Sequence, residues 1–219
     1  MRNLRQNLHR SGRSNMYSKS KFSNWGMFDP YYAEADLVRY DAKPTKTLVI
    51  TENMKVKVFE RPLHEAFIRP FTLEDIEKTL RSIPEKFVRC VGRIILLGGT
   101  KKQEKAFGKF HFGMCCGSRV ALCAYPKKRL ELYYEHVPSP HVLQEYEKTS
   151  AKIDLQGKGC VIRFDEKSLK TFYLRDVLIH EIGHAVDFAR RKNMAETTEE
   201  FAEWFVREYG FRYNKNAMQ

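Results

Sequence analysis

His180-Glu181-Ile182-Gly183-His184-Ala185-Val186-Asp187, followed after a short polar interval by Thr197-Thr198-Glu199-Glu200-Phe201-Ala202-Glu203-Trp204-Phe205, is the stretch on which the reading of this 219-residue chain turns. Leu174, Val177, Leu178, Ile182, Ala185, Val186 and Ala189 recur at helical spacing, so the first segment is expected to be a helix with a broad apolar face. Residues four apart on a helix lie one turn apart on the same face. His180 and His184 can therefore present imidazole nitrogens to a single cation, at about 2.0–2.1 Å if the cation is zinc. Glu181 points partly to the same side, where its carboxylate can accept a proton from a water activated by the cation.

A zinc site that acts on a substrate normally has three protein ligands and one open position. No histidine follows His184, and the metzincin continuation, with glycine at 187 and histidine at 190, is replaced by Asp187 and Arg190. A carboxylate is left as the third donor. The second segment reads as a helix from about Thr197 to Tyr209, with Gly210 as its C-terminal stop. Glu199 and Glu203 share one face of it, and small Ala202 lets it approach the metal, with Gly183 permitting the close contact from the other side. Glu199 is the expected third ligand, and Glu203 is expected to accept the free ring N–H of His180 and fix its tautomer. Asp187, one turn beyond His184, is expected to orient a neighbouring backbone or side chain.

Taken together, His180 to Asp187 and Glu199-Glu200-Phe201-Ala202-Glu203 resemble the gluzincin metallopeptidases, in particular the lethal-factor-like and Pro-Pro endopeptidase branch and the one-domain minigluzincins, over roughly residues 72–210. The resemblance implies an α+β, zincin-like fold: a backing helix, a small mixed sheet whose edge strand pairs with an extended substrate, an HExxH active-site helix and a glutamate helix. It also implies one Zn2+ per chain on His180, His184 and Glu199, Glu181 as general base, Glu203 behind His180, and a protein or peptide substrate. The spacing from His184 to Glu199 is shorter than in thermolysin-type members and implies a tight connection. One departure is visible. The lethal-factor branch has an oxyanion-stabilising tyrosine seven residues before its ligand glutamate, where this chain has Lys192. Tyr209, Tyr213, His111 and Lys192 itself stay open as the electrophilic helper.

The rest of the chain organises around that centre. Residues 1–28 hold Arg2, Arg5, Arg10, Arg13, Lys19 and Lys21 with no acid and few apolar residues, which predicts a disordered basic arm. Residues 29–71 are expected to form an accessory segment, in which Thr47–Ile50 and Lys55–Phe59 make a β-hairpin around Glu52-Asn53-Met54. Residues 72–219 are the expected catalytic domain. Thr72 with Asp75 reads as a capping box, and Leu73, Ile76, Leu80 and Ile83 mark one helical face that Pro84 ends. Strands are expected at Val88–Leu97, Phe110–Met114, Arg119–Ala124, Leu130–Tyr134 and Gly159–Phe164, with a connection over 137–158 that contains a short helix near Val142–Lys148. Arg119–Ala124 is the expected substrate-pairing edge.

Composition narrows the function classes. The chain carries a formal net charge of +12. Residues 85–129 hold eleven Lys/Arg against Glu85 and Glu104, so one face is expected to be strongly positive and to attract nucleic acid, an anionic surface or an acidic protein. A nucleic-acid- or surface-binding protein on a structural or inactive zincin fold is therefore the alternative function. Cys90, Cys115, Cys116, Cys123 and Cys160 are odd in number and lack CxxC spacing, which predicts reduced thiols. With no secretory h-region and no long apolar run, the expected setting is cytoplasmic with no membrane span. Oligomeric state is not readable from the sequence.

Overall fold

A computed structural model of the chain describes residues 43–101, 111–127, 131–191 and 198–212. The basic arm at 1–28 lies outside these residues, as do Lys192 and Tyr213. The fold is α+β, with a small mixed sheet and several helices.

The hairpin forms as expected: β1 (Lys46–Thr51) pairs antiparallel with β2 (Met54–Glu60). In β2 Met54, Val56 and Val58 are buried while Lys55 and Lys57 are exposed, the period-2 alternation of a strand with one face on the core. The hairpin is not an accessory, however. β2 also pairs in parallel with β4 (Arg93–Leu96), and β4 in parallel with β6 (Arg119–Leu122). β6 then pairs antiparallel with β5 (Gly113–Cys116), giving one five-stranded sheet in the order β1-β2-β4-β6-β5. The expected boundary at residue 71 is thus crossed by the central sheet. A short pairing of β3 (Phe67–Ile68) with β7 (Tyr125–Pro126) crosses it again.

Two further expectations are corrected by the same topology. Arg119–Ala124 is not an edge: β6 is hydrogen-bonded on both sides, and Val120, Ala121 and Leu122 are all buried, as interior strands covered on both faces are. The edge beside it is β5. The run Val88–Leu97 is not one strand either, because α2 (Glu85–Val88) turns its start into helix and only Arg93–Leu96 extends. Pro84 stands immediately before α2, where its missing N–H and fixed φ suit a helix start.

A second, antiparallel sheet has the order β8-β10-β9, from β8 (Glu131–Tyr134), β9 (Lys152–Gln156) and β10 (Gly159–Arg163). β9 falls within the stretch expected to be a connection. Ile153 and Leu155 alternate with Lys152, Asp154 and Gln156, but the strand is only 5 residues long and almost wholly exposed, and neither apolar residue is fully buried. α3 (Pro140–Lys148) precedes it.

The helices then close the core. α1 (Leu73–Arg81) begins with the full capping box: the Asp75 amide donates to Thr72 Oγ1 at 3.2 Å and the Thr72 amide to Asp75 Oδ2 at 2.8 Å. α4 (Glu166–Phe172) begins with a second one between Asp165 and Ser168. α4 continues through a π-helical turn, Tyr173–Val177, into α5 (Leu178–Arg190), which packs on β5 and β6. π-turns re-phase a helix and recur at functional sites. Here the turn is anchored by fully buried Tyr173, whose hydroxyl donates to the Cys123 carbonyl at 2.9 Å. Its ring packs edge-on against Phe112, Tyr125 and Phe172.

α6 (Glu199–Phe205) lies against α5 and runs on as a second π-helical segment, Val206–Arg212. Gly210 is therefore not a helix stop. It sits inside this segment, where a Cβ would lie 2.1 Å from the Arg175 carbonyl oxygen. The glycine is needed for close approach of two backbones, not for a turn.

Candidate metal centre

Helix α5 carries its chemistry on a buried face. His180 and His184 are each 4% exposed and Glu181 is 1% exposed. The two imidazoles meet through their Nε2 atoms at 3.1 Å. α6 brings the Glu199 carboxylate over them, with Oε2 3.4 Å from His180 Nε2 and Oε1 3.4 Å from His184 Nε2. A tetrahedral ion with bonds of about 2.0–2.1 Å holds its donor atoms about 3.3–3.4 Å apart. The two histidine nitrogens meet that separation through different oxygens of the Glu199 carboxylate. One ligand atom from each of the three residues lies within 4.8 Å of the other two, a donor set that can hold one cation.

Electrostatics favour the same use. Burial pushes the His184 pKa down to about 4, with the Asp187 and Glu203 carboxylates pulling weakly the other way. The imidazole is therefore neutral near pH 7 and offers a lone pair, as a ligand must. On the far side of the ring, His180 Nδ1 lies 3.5 Å from Glu203 Oε1. A carboxylate there favours the tautomer with the proton on Nδ1 and the lone pair on Nε2.

The approach of the two helices rests on small residues. A Cβ on Gly183 would lie 2.9 Å from the Ala202 Cα and 3.1 Å from the Phe205 Cβ. The structure thus brings Gly183 and Ala202 together as their sizes suggested. The first turn of α6 is capped by Thr198, whose Oγ1 accepts from the Phe201 amide at 3.4 Å.

No protein-family model, curated protein or solved structure matches this chain. Function is read from its own residues.

One contact at the site was not foreseen. β5 passes beside Glu181, and a Cβ on Gly113 would meet Glu181 Oε1 at 2.9 Å and the Val177 Cγ1 at 2.8 Å. Glycine inside a strand is a signal for close approach, so the position was legible in principle. Cys115, two residues on, feels the same carboxylate. Burial, with the Glu181 charge adding to it, pushes its thiol well above the ordinary value, which keeps it neutral and unreactive.

The open candidates for an electrophilic helper divide. Tyr209 packs its ring against Phe205 at 4.6 Å, Phe87 at 5.2 Å and Trp204 at 6.2 Å. His111 is buried just ahead of β5. Lys192 and Tyr213 fall outside the described residues. Among the described residues no helix is long and apolar enough to cross a membrane. All five cysteines are free, with Cys123 and Cys160 buried and Cys116 exposed.

Proposed function

We propose that this chain is a zinc-dependent metallopeptidase of the gluzincin type, with a zincin-like catalytic fold. The observation that carries the reading is the convergence of His180, His184 and Glu199 on one point with metal-ligand spacing. His180 and His184 act as neutral nitrogen donors and Glu199 as the anionic third ligand. Zinc bound there supplies positive charge that polarises a peptide carbonyl and eases deprotonation of the attacking water.

Glu181 follows the first ligand in sequence, and its carboxylate is confined against the Gly113 backbone. In this reading it takes the proton from the attacking water and then delivers it to the leaving amine nitrogen. Glu203 holds His180 in its ligand tautomer. Among the described residues β5 is paired on one side only, with β6. Glu181 packs over the face of this strand at Gly113, and in this reading an extended peptide lies along β5 as a further strand. Cysteines outside any disulfide fit a cytoplasmic setting.

The test is metal content by elemental mass spectrometry together with hydrolysis of a peptide library. Wild type should hold about one zinc per chain, His180→Ala and Glu199→Ala should lose most of it, and Glu181→Gln should keep zinc while losing hydrolysis. Wild type that folds but takes up no zinc, or Glu181→Gln with undiminished metal-dependent hydrolysis, overturns the reading.

One observation favours the alternative, a nucleic-acid- or surface-binding protein. Lys57, Arg93 and Arg119 stand side by side in register across β2, β4 and β6. A row of basic residues on one sheet adds to the positive field that attracts an anionic partner. Salt-sensitive nucleic-acid binding without any proteolysis would put this reading first.

A further inference from the structure

The metal cluster is assembled from two helices, and the link between the metal-facing end of one and the start of the other runs through Asp187. This residue is 4% exposed. Its Oδ2 accepts from the Thr198 amide at 2.8 Å and from the Thr198 hydroxyl at 3.2 Å, and its Oδ1 accepts from Arg191 Nε at 3.1 Å. Burying a carboxylate is costly unless such donors satisfy it, and charge-assisted bonds are the stronger kind. Three donors on one buried carboxylate make a fixed joint.

What the joint fixes is specific. Thr198 is the N-cap of α6, and Glu199 is the first residue of that helix. Asp187 lies three residues beyond His184, on the same face of α5. One carboxylate therefore ties the backbone that carries His184 to the residue immediately before Glu199. Two other contacts join the helices, Gly183 against Ala202 and Phe205 and the Arg190 guanidinium 4.7 Å from the centre of the Phe201 ring, and neither of them holds the backbone next to Glu199. The Thr198 amide, held by Asp187 at 2.8 Å, is the bond that does.

We infer that Asp187 is the positioning residue for Glu199, holding the third donor in register with His180 and His184 through the capped start of α6. It touches neither substrate nor cation; it acts through Thr198. The inference rests on the proposal that Glu199 is a ligand, and it adds which residue makes that ligand effective.

The test is a double-mutant cycle read by zinc affinity, measured on the full chain in competition with a chromogenic chelator. Folding is checked by circular dichroism. Asp187→Ala should weaken zinc binding about 10- to 100-fold, the size expected for loss of a supporting partner. Asp187→Asn, which keeps one acceptor for the Thr198 amide, should recover part of the loss, and Thr198→Ser should stay near wild type. In the Glu199→Ala background, Asp187→Ala should cost little further affinity, because the ligand it positions is gone.

Equal losses in the two backgrounds, or an Asp187→Ala protein that melts earlier but binds zinc as wild type does, overturn the positioning role and leave the metal reading intact. Wild type that binds no zinc, or Glu199→Ala that binds as tightly as wild type, overturns the metal reading and this inference with it. If Asp187→Ala does not fold, the comparison of Asp187→Asn with wild type, with and without Glu199→Ala, decides the same question.

Discussion

Gly183 on α5 and Ala202 on α6 meet so closely that a Cβ on the glycine would stand 2.9 Å from the Ala202 Cα, a backbone atom with no rotamer to yield. The separation of the two helices, and hence the reach of Glu199 toward the histidines, is set by a missing methyl group. Gly183→Ala should push α6 outward. Alanine is the better helix former, yet the overpacking should cost about 1–3 kcal/mol. Zinc affinity should fall as well. A melting curve and a chelator titration on the same protein check both, and unchanged zinc affinity would show that α6 is not held by this contact.

A related argument applies to the other face of the site. Gly113 in β5 leaves room for Glu181, whose Oε1 would lie 2.9 Å from an added Cβ. Gly113→Ala should therefore move the Glu181 carboxylate while leaving His180, His184 and Glu199 in place. The expected result is near-stoichiometric zinc with peptide hydrolysis reduced about 10- to 100-fold, short of the roughly 10²- to 10⁴-fold that a general base contributes, because the carboxylate is displaced and not removed. Loss of zinc in step with activity would place the damage in the ligand set instead.

How much of this could be read beforehand depends on what kind of signal each feature leaves. The HExxH helix, the Glu199 and Glu203 pair, the capping box at Thr72 and the β1–β2 hairpin are local patterns, and the structure places each where its spacing put it. Strand order is not local. β6 reads as a good strand, but nothing in Arg119–Leu122 says that β5 lies outside it, so the edge was assigned one strand too far in. β9 has only Ile153 and Leu155 alternating within 5 residues, too short a pattern to separate a strand from a polar connection, and the π-turn at Tyr173–Val177 carries no period of its own. Asp187 was legible as a joint, but not its partner Thr198, eleven residues away across the helix interval.

Stability should depend on pH through the start of α1. Partial burial works to raise the Asp75 pKa, but the Lys170 ammonium, with the Thr72 amide and hydroxyl, outweighs it and holds the carboxyl below its ordinary value. Lys170 Nζ lies 2.8 Å from Asp75 Oδ1, which ties α1 to α4. Because the folded-state pKa is the lower one, the contact contributes stability above the unfolded carboxylate value, about 3.9, and loses it as pH falls through the folded value. The lysine side chain is 42% exposed, so solvent screening limits the effect. Lys170→Met should lose about 0.5 kcal/mol at pH 7 and nothing measurable near pH 2. Denaturant melts at the two pH values check it, and an equal loss at both would assign the effect to packing of the lysine stem.

Glu203 offers the sharpest separation between a ligand and its support. Its Oε1 is 3.5 Å from His180 Nδ1, on the side of the ring away from Glu199, so removing it deletes no donor from the cluster. What it removes is the preference for a proton on Nδ1, and with it the guarantee that Nε2 carries the lone pair. Glu203→Ala should therefore weaken zinc binding about 10- to 100-fold, as loss of a supporting carboxylate does, and Glu203→Gln should lie between that variant and wild type because its amide oxygen still accepts the ring N–H. Glu199→Ala should be weaker than either. Zinc titrations of the four proteins rank them, and Glu203→Ala falling at or below Glu199→Ala would mean that the third ligand is Glu203 and that α6 presents its second turn to the metal.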